Sequence, residues 1–403
     1  MIDRYLWVIG GGALQVPLIK EANSLGLKTI ISDMNKACVA RNYCDEFVHI
    51  DVFNIDLHID YLKSCELNII GVLAAGIDAP ETMAAMNSFM GFKGVGLDIA
   101  LLVKNKDRFR AEFKKLGYPM PFFKIIDRGS LGCIGDILST MPYPLIVKPT
   151  SNSGSRDMKI FEKGDHPLMG FIEEKLRKYD KLLLEEVWYG EEQTVECLVD
   201  IRGRFHRGFI TDRKFSFESG FPVETGLIHP TQLSEEKQIK LYELAERVAV
   251  DLKLDVGVVK LDTIYTKNGP RMIELTVRHS GGFDCQYLVP RSTGKNVLRC
   301  AILNAIGEQF ESDLLKDSLF KFGVTGSLWP KQGVVTSIEG VDEAKGIDGV
   351  EEVFLRLEVG DEIKPYNDCA SRVAFIICTG RTLEEAHNTL EKAKSIIKIE
   401  SNI

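Results

Sequence analysis

Val258-Val259-Lys260-Leu261-Asp262-Thr263-Ile264-Tyr265-Thr266-Lys267-Asn268-Gly269-Pro270-Arg271-Met272-Ile273-Glu274-Leu275-Thr276-Val277-Arg278 reads as two β-rich runs joined at Asn268-Gly269, a strong hairpin signal. By the two-residue period of a strand, Val259, Leu261, Ile273, Leu275 and Val277 share one face; Lys260, Asp262, Glu274, Thr276 and Arg278 share the other. A tight turn at Asn268-Gly269 would set Glu274 against Thr263 and send Asp262 to the opposite face, burying charge or exposing the aliphatic ladder. An odd-length or bulged loop centred on Asn268 instead pairs Asp262 with Glu274 and keeps every apolar residue on the core face, so this register is expected. Two adjacent carboxylates are costly unless a proton or a cation lies between them. Mg²⁺ suits the pair, because it takes one or two carboxylates and completes its shell with phosphate oxygens and water. An edge hairpin with a solvated charged face also fits this segment when it is read alone.

Upstream, Leu145-Ile146-Val147-Lys148-Pro149-Thr150-Ser151-Asn152-Ser153-Gly154-Ser155-Arg156 is a strand entering a loop of small, hydroxylic residues. Backbone N–H groups of such a loop can crowd around phosphate oxygens, and a lysine at the strand end adds charge. It is not a Walker A loop, since no Gly-Lys-Ser/Thr follows. A solvated hairpin tip with a snorkelling lysine is the competing reading.

The first hundred residues alternate strands, at residues 6–9, 29–32, 47–50 and 69–74, with helices, which implies a parallel α/β sheet. Gly10-Gly11-Gly12-Ala13-Leu14-Gln15 follows the first strand and Asp33 closes the second, the outline of a dinucleotide fold. Gln15 stands where that fingerprint wants a third glycine, so no NAD binding is expected. A single helix over residues 101–116 is expected, with Leu102, Phe109, Phe113 and Leu116 on one stripe. From residue 144 onward the pattern is α+β. It includes helices near 167–178 and 234–252, the second burying Tyr242, Ala245, Val248 and Leu252, and a small terminal α+β region ending in a helix over about 382–397.

A chain of 403 residues exceeds one growing core and implies two or three domains. Its net charge of -8 argues against nucleic-acid binding, and no apolar run approaches a membrane span. The start leads directly into a strand without a secretory pattern. Nine cysteines without a C-x-x-C pair suggest neither a zinc site nor a disulfide framework, and a cytoplasmic location is expected.

In their order these pieces resemble the ATP-grasp superfamily, in the carboxylate–amine ligase branch that includes the L-amino acid ligases. The resemblance runs from Lys106 through Ile146-Val147-Lys148-Pro149 and its Ser/Gly loop to Leu183-Leu184-Glu185-Glu186-Val187, with Gly190 and Glu192. It continues through Asp262, Glu274, Arg278 and Ser280-Gly281-Gly282, and Gly333 to Gly340, Ser371-Arg372-Val373-Ala374 and Thr379-Gly380 look like the terminal domain of those ligases. The resemblance implies a pre-ATP-grasp α/β domain over residues 1–103, an ATP-grasp core over 104–315 with a mobile lid at about 121–187, and an α+β domain over 316–403. It further implies that Lys106 and Lys148 hold ATP phosphates, that Ser153, Gly154, Ser155 and Arg156 form the lid loop, and that Glu185, Glu186 and Val187 face adenine through their backbone. Glu192 would take the ribose, Asp262 and Glu274 would bind Mg²⁺, and Arg278 would stabilise an acyl phosphate and the tetrahedral species after it. His229, Ser280, Gly281 and Gly282 would border the substrates. Small-molecule carboxylate and amine substrates are the implied partners, with a homodimer as an allowed assembly.

Two positions depart from the family pattern. Thr276 stands where Asn is usual, and its single hydroxyl is a poorer metal ligand. Asp157 stands where Gly is common, which bears on the backbone of the lid loop. The readings left beside the ligase are a phosphoribosyl ligase or carboxylase of the same fold, a nucleotide-binding regulator without turnover, and an NAD-dependent oxidoreductase.

Overall fold

The computed structural model describes residues 2–402 except 153, 218 and 219. The first sheet is parallel, in the order Glu46–Val48, Lys28–Ser32, Tyr5–Ile9, Ile69–Ala74. The strand Tyr5–Ile9 is buried along its whole length, as a central strand covered by helices on both faces must be. Beyond it, Phe123–Asp127, Lys181–Glu186, Leu145–Pro149 and Lys159–Phe161 form an antiparallel four-stranded sheet. The helix Pro167–Lys178 buries Leu168, Ile172 and Leu176 in that sheet's small core.

The largest sheet has eight strands in the order Gly269–Thr276, Gly257–Thr266, Glu191–Val199, Phe205–Ser216, Val223–His229, Phe322–Gly326, Ala374–Gly380 and Val350–Leu355. Its last three strands come from beyond residue 316, so the terminal segment continues the central sheet. It also builds a three-stranded sheet from Gly333–Glu339, Glu362–Ile363 and Lys398–Asn402. The helix Glu235–Asp251 covers the hairpin with Leu241, Ala245, Val248 and Ala249. Leu241, one position before the expected Tyr242, supplies the first contact of that stripe, and Tyr242 is only partly buried.

Two local expectations are corrected. The helix expected over 101–116 is two helices, Leu97–Lys104 and Lys106–Lys115, separated by an extended Asn105 with φ -100° and ψ 105°. A tertiary bond accompanies the break: the Lys106 N–H donates to the Thr150 carbonyl at 2.9 Å, at the start of the loop that follows the strand Leu145–Pro149. In the hairpin Asp262 does pair with Glu274, but the turn is tight, with Thr266 opposite Gly269 and Lys267-Asn268 at its tip. The odd residue is a bulge farther along, between the pairs Asp262–Glu274 and Thr263–Met272. It leaves Ile273 unpaired and turned to the cavity, while Met272 takes the core place expected for Ile273.

Candidate active site

A cavity of about 860 Å³ lies between the four-stranded sheet and the polar face of the hairpin. The charged face of this edge hairpin is therefore covered rather than solvated, and Lys260, Asp262 and Thr276 are buried. Asp262 bonds Lys260, takes Thr194 Oγ1 at 3.2 Å, and pairs with Arg213 Nη1 at 3.1 Å. Glu274 pairs with Lys106 Nζ at 2.9 Å. Burial alone would raise the Asp262 pKa, but Arg213 and Lys260 hold it below the ordinary carboxylate range; Lys106 does the same for Glu274. Both groups are therefore charged and available as hard oxygen ligands. The Thr276 hydroxyl beside them is buried with no hydrogen-bond partner among the described residues. Two facing carboxylates and an unpartnered hydroxyl fit a divalent cation that prefers oxygen.

The helix beginning at Lys106 points Lys106 into the cavity and carries Arg110 one turn on. Arg110 is fully buried and, with Lys148, grips the Glu185 carboxylate. Burial would raise the Glu185 pKa; the two cations override it and bring it down to about 2. Arg110 was missed from sequence, and its signal was the four-residue spacing from Lys106, which puts both cations on one helix face. Glu185, Glu186 and Val187 all line the cavity. The backbone N–H of Glu186 donates to Phe122 O at 3.0 Å and that of Val187 to Pro144 O at 3.2 Å.

Gly154, Ser155 and Arg156 line the cavity from the lid side; Ser153 falls outside the described residues. Asp157 has φ 56°, the left-handed conformation that the usual glycine would supply. Its carboxylate binds Lys175 and Lys178, each at 2.7 Å, and the Tyr179 hydroxyl. Asp is among the few residues that tolerate this backbone, and here its own side chain anchors it.

Deeper in the cavity, Arg213 Nε donates to Glu224 Oε1 at 2.8 Å, and Arg372 Nη1 donates to Glu224 Oε2 at 2.8 Å. Neither Arg213 nor Glu224 was singled out in the sequence, because each lies in a strand with no motif around it. Glu192 lines the same wall, and burial, with Asp262 and Glu224 nearby, pushes its pKa up to about 7 against the pull of Arg213. Arg278 reaches the cavity with Nη1 bonded to the His279 carbonyl at 3.0 Å and Asp78 3.7 Å from Nη2, while its buried Nε is unpartnered among the described residues. Behind it, Glu196 bonds His279 Nδ1 and the Ser280 N–H, each at 2.7 Å, which braces the turn into Ser280, Gly281 and Gly282 at the cavity wall.

His229 is not brought to the cavity. It is buried one step behind the wall, where Thr211 Oγ1 contacts its Nδ1 at 3.2 Å and donates to the cavity residue Asp284 at 2.9 Å. Burial pushes its pKa down to about 3, so it is neutral. A bulge in the strand Val223–His229 leaves Thr225 unpaired, so Glu224 and Leu227 both line the cavity, and His229 lies farther along the strand behind Thr211 and Asp284.

The glycine loop of the first sheet is closed by its own side chains. Gly11 N–H donates to Asp33 Oδ2 at 2.8 Å and Gly12 N–H to Gln15 Oε1 at 2.9 Å. The two donors a pyrophosphate would need are already engaged.

A loop of small, hydroxylic residues over a sheet that carries paired carboxylates, with two lysines at the same cavity, is the arrangement of the ATP-grasp fold, and this chain has that fold. Residues 327–401 match the family model for L-amino acid ligase C-terminal domain 2. The L-amino acid ligase from Bacillus licheniformis superposes with a TM-score of 0.83 at 22% identity over 100% of both chains. In sequence the chain is 23% identical over 359 residues to the uncharacterized protein y4rH of Sinorhizobium fredii, covering 86% of this chain and 72% of that one. It is 24% identical over 346 residues to carnosine synthase 1 of Mus musculus, covering 77% of this chain but only 40% of that longer protein. Among the described residues no helix is long and apolar enough to cross a membrane, and all nine cysteines are free thiols.

Proposed function

We propose that the protein is an ATP-dependent carboxylate–amine ligase that converts a small carboxylic acid into an acyl phosphate and joins it to an amine, with release of ADP and phosphate. The observation that carries this reading is the facing pair Asp262–Glu274 in one cavity with Lys106 and Lys148, beneath the lid loop. The likenesses to an L-amino acid ligase and to carnosine synthase support amino acids as the substrate class.

Mg²⁺ held by Asp262 and Glu274 would neutralise charge on the phosphates and polarise the transferring group. Lys106 and Lys148 provide fixed positive charge for the phosphate oxygens, and Glu192 accepts the ribose hydroxyls. The acid's carboxylate oxygen attacks the γ-phosphorus, leaving ADP; the amine nitrogen then attacks the acyl carbon, and phosphate leaves. Arg278 faces the charge that develops on the acyl oxygen, with a planar fork suited to phosphate and carboxylate edges. The loop at residues 154–157 shields the acyl phosphate from water.

The test is ADP and phosphate release by the purified protein with ATP, Mg²⁺ and pooled amino acids, followed by substrate pairs. Release that requires both an acid and an amine supports the ligase. Turnover only with bicarbonate or a phosphoribosyl amine would assign the fold's other chemistry, and ATP binding without turnover under any condition would make the protein a regulator.

A further inference from the structure

We propose that Arg372 is a positioning residue that latches the lid's phosphate loop to the carboxylate wall of the cavity. What the latch accomplishes rests on the ligase reading; the contacts themselves do not.

Arg372 follows a short turn, Cys369–Ser371, which Asp368 caps by accepting from the Ser371 N–H at 2.8 Å. The Cys369 N–H donates to the Gly154 carbonyl at 3.1 Å, so the turn holds the phosphate loop directly. The Cys369 carbonyl in turn accepts from Arg372 Nε at 2.9 Å. On its other edge the guanidinium donates to Glu224 at 2.8 Å, and its face lies 4.5 Å from the Phe375 ring centroid. Glu224 passes the connection through Arg213 to the metal-facing carboxylate Asp262. One polar chain thus runs from the loop that would cover the phosphates to the residues that would hold the metal, and its middle member comes from the terminal segment.

The loop needs such a latch. Gly154, Ser155 and Asp157 have φ of 66°, 58° and 56°, and two of these three are not glycine. A loop with left-handed non-glycine residues keeps its shape only where surrounding contacts over-determine it. Asp157 is tied to the lid's own helix through Lys175 and Lys178. Asn152, before the strained residues, meets Lys106 and Tyr179, while the Gly154 carbonyl is held by the Cys369 turn, and Arg372 holds that turn. Serving two acceptors in different directions while stacking on a ring requires a planar fork; a lysine ammonium serves one point.

Hydrogen exchange and trypsin cutting after Arg156 measure the latch in the full-length, nucleotide-free chain. In Arg372→Lys, cutting after Arg156 and exchange over residues 154–157 should rise roughly tenfold, while the helix Pro167–Lys178 keeps its protection. Glu224→Gln approaches the same chain from the cavity end and should loosen the same loop residues, which keeps the test decisive if Arg372→Lys does not fold. Unchanged cutting and exchange at residues 154–157 in a folded variant overturns the latch. A separate arm adds ATP and Mg²⁺ to the unmutated protein: slower cutting supports nucleotide binding beneath this loop. Absence of that protection counts against the ligase reading and leaves the nucleotide-free comparison intact.

Discussion

Asp262 stands directly opposite Glu274 across the central hairpin, and separate cations hold the two carboxylates, Lys260 and Arg213 on the first and Lys106 on the second. This division keeps two negative charges side by side in a covered cavity without forcing a proton onto either.

Asp262→Asn keeps the shape of the side chain and removes its charge. ATP turnover should fall at least ~100-fold, since one of the two carboxylates proposed to hold Mg²⁺ is lost. Stability should fall as well, by up to about 3–5 kcal/mol, because buried Lys260 and Arg213 lose their shared partner. Steady-state kinetics and thermal unfolding of the same sample check both; turnover at the unmutated rate removes the metal assignment.

Arg278→Lys should retain ATP binding and lose product, mainly in kcat, because the contact proposed for it would strengthen as the acyl phosphate and tetrahedral species form. A loss of roughly 100-fold is the order expected for one oxyanion-stabilising group. An unchanged kcat would place Arg278 outside the chemistry despite its position in the cavity.

Glu192 predicts a pH dependence. Burial raises its pKa to about 7, so it is largely neutral below that pH and charged above it. A carboxylate accepting ribose hydroxyls binds best when charged, so ATP affinity should strengthen as pH rises through about 7 and weaken as it falls. Calorimetric titration across that range should show the step in the unmutated protein and a flat profile in Glu192→Gln. The same step in the variant would assign it to another group.

Glu185 carries a different pH signature. Its folded pKa of about 2 lies below the ordinary value of 4.5, so its contribution to stability is present above 4.5 and is lost as pH falls towards 2. Arg110→Met removes one of its two cations from a buried site and should destabilise by roughly 3 kcal/mol. Denaturant unfolding at neutral pH measures it, and a change under about 0.5 kcal/mol, the scale of ordinary surface substitutions, would show that Lys148 alone suffices.

NAD(H) and NADP(H) should give no saturable signal in titration, since the Gly11 and Gly12 N–H groups are already bonded to Asp33 and Gln15. Gln15→Gly frees the second donor and serves as the comparison; a micromolar dissociation constant for the unmutated chain would revive an oxidoreductase reading.

The local order of residues determined a good part of this. Alternation and the cost of burying charge were enough to set Asp262 against Glu274, because a one-residue slip would invert every side chain. The helices expected near residues 167–178 and over about 382–397 form as Pro167–Lys178 and Leu383–Ile396, and the second starts after Thr382, whose side chain accepts from the Glu385 N–H. The order of lysines, loop and carboxylates was enough to identify the fold. Long-range packing decided the rest. Asn105 interrupts a continuous helical pattern where Lys106 meets Thr150, and a bulge at Ile273 does the work expected of the turn. Arg110, Arg213, Glu224 and Arg372 are separated by up to 262 positions, and no period or spacing links them. Only the folded chain brings them together, because a buried charge must find its partner wherever the sheets deliver one, and that choice is made in space rather than along the sequence.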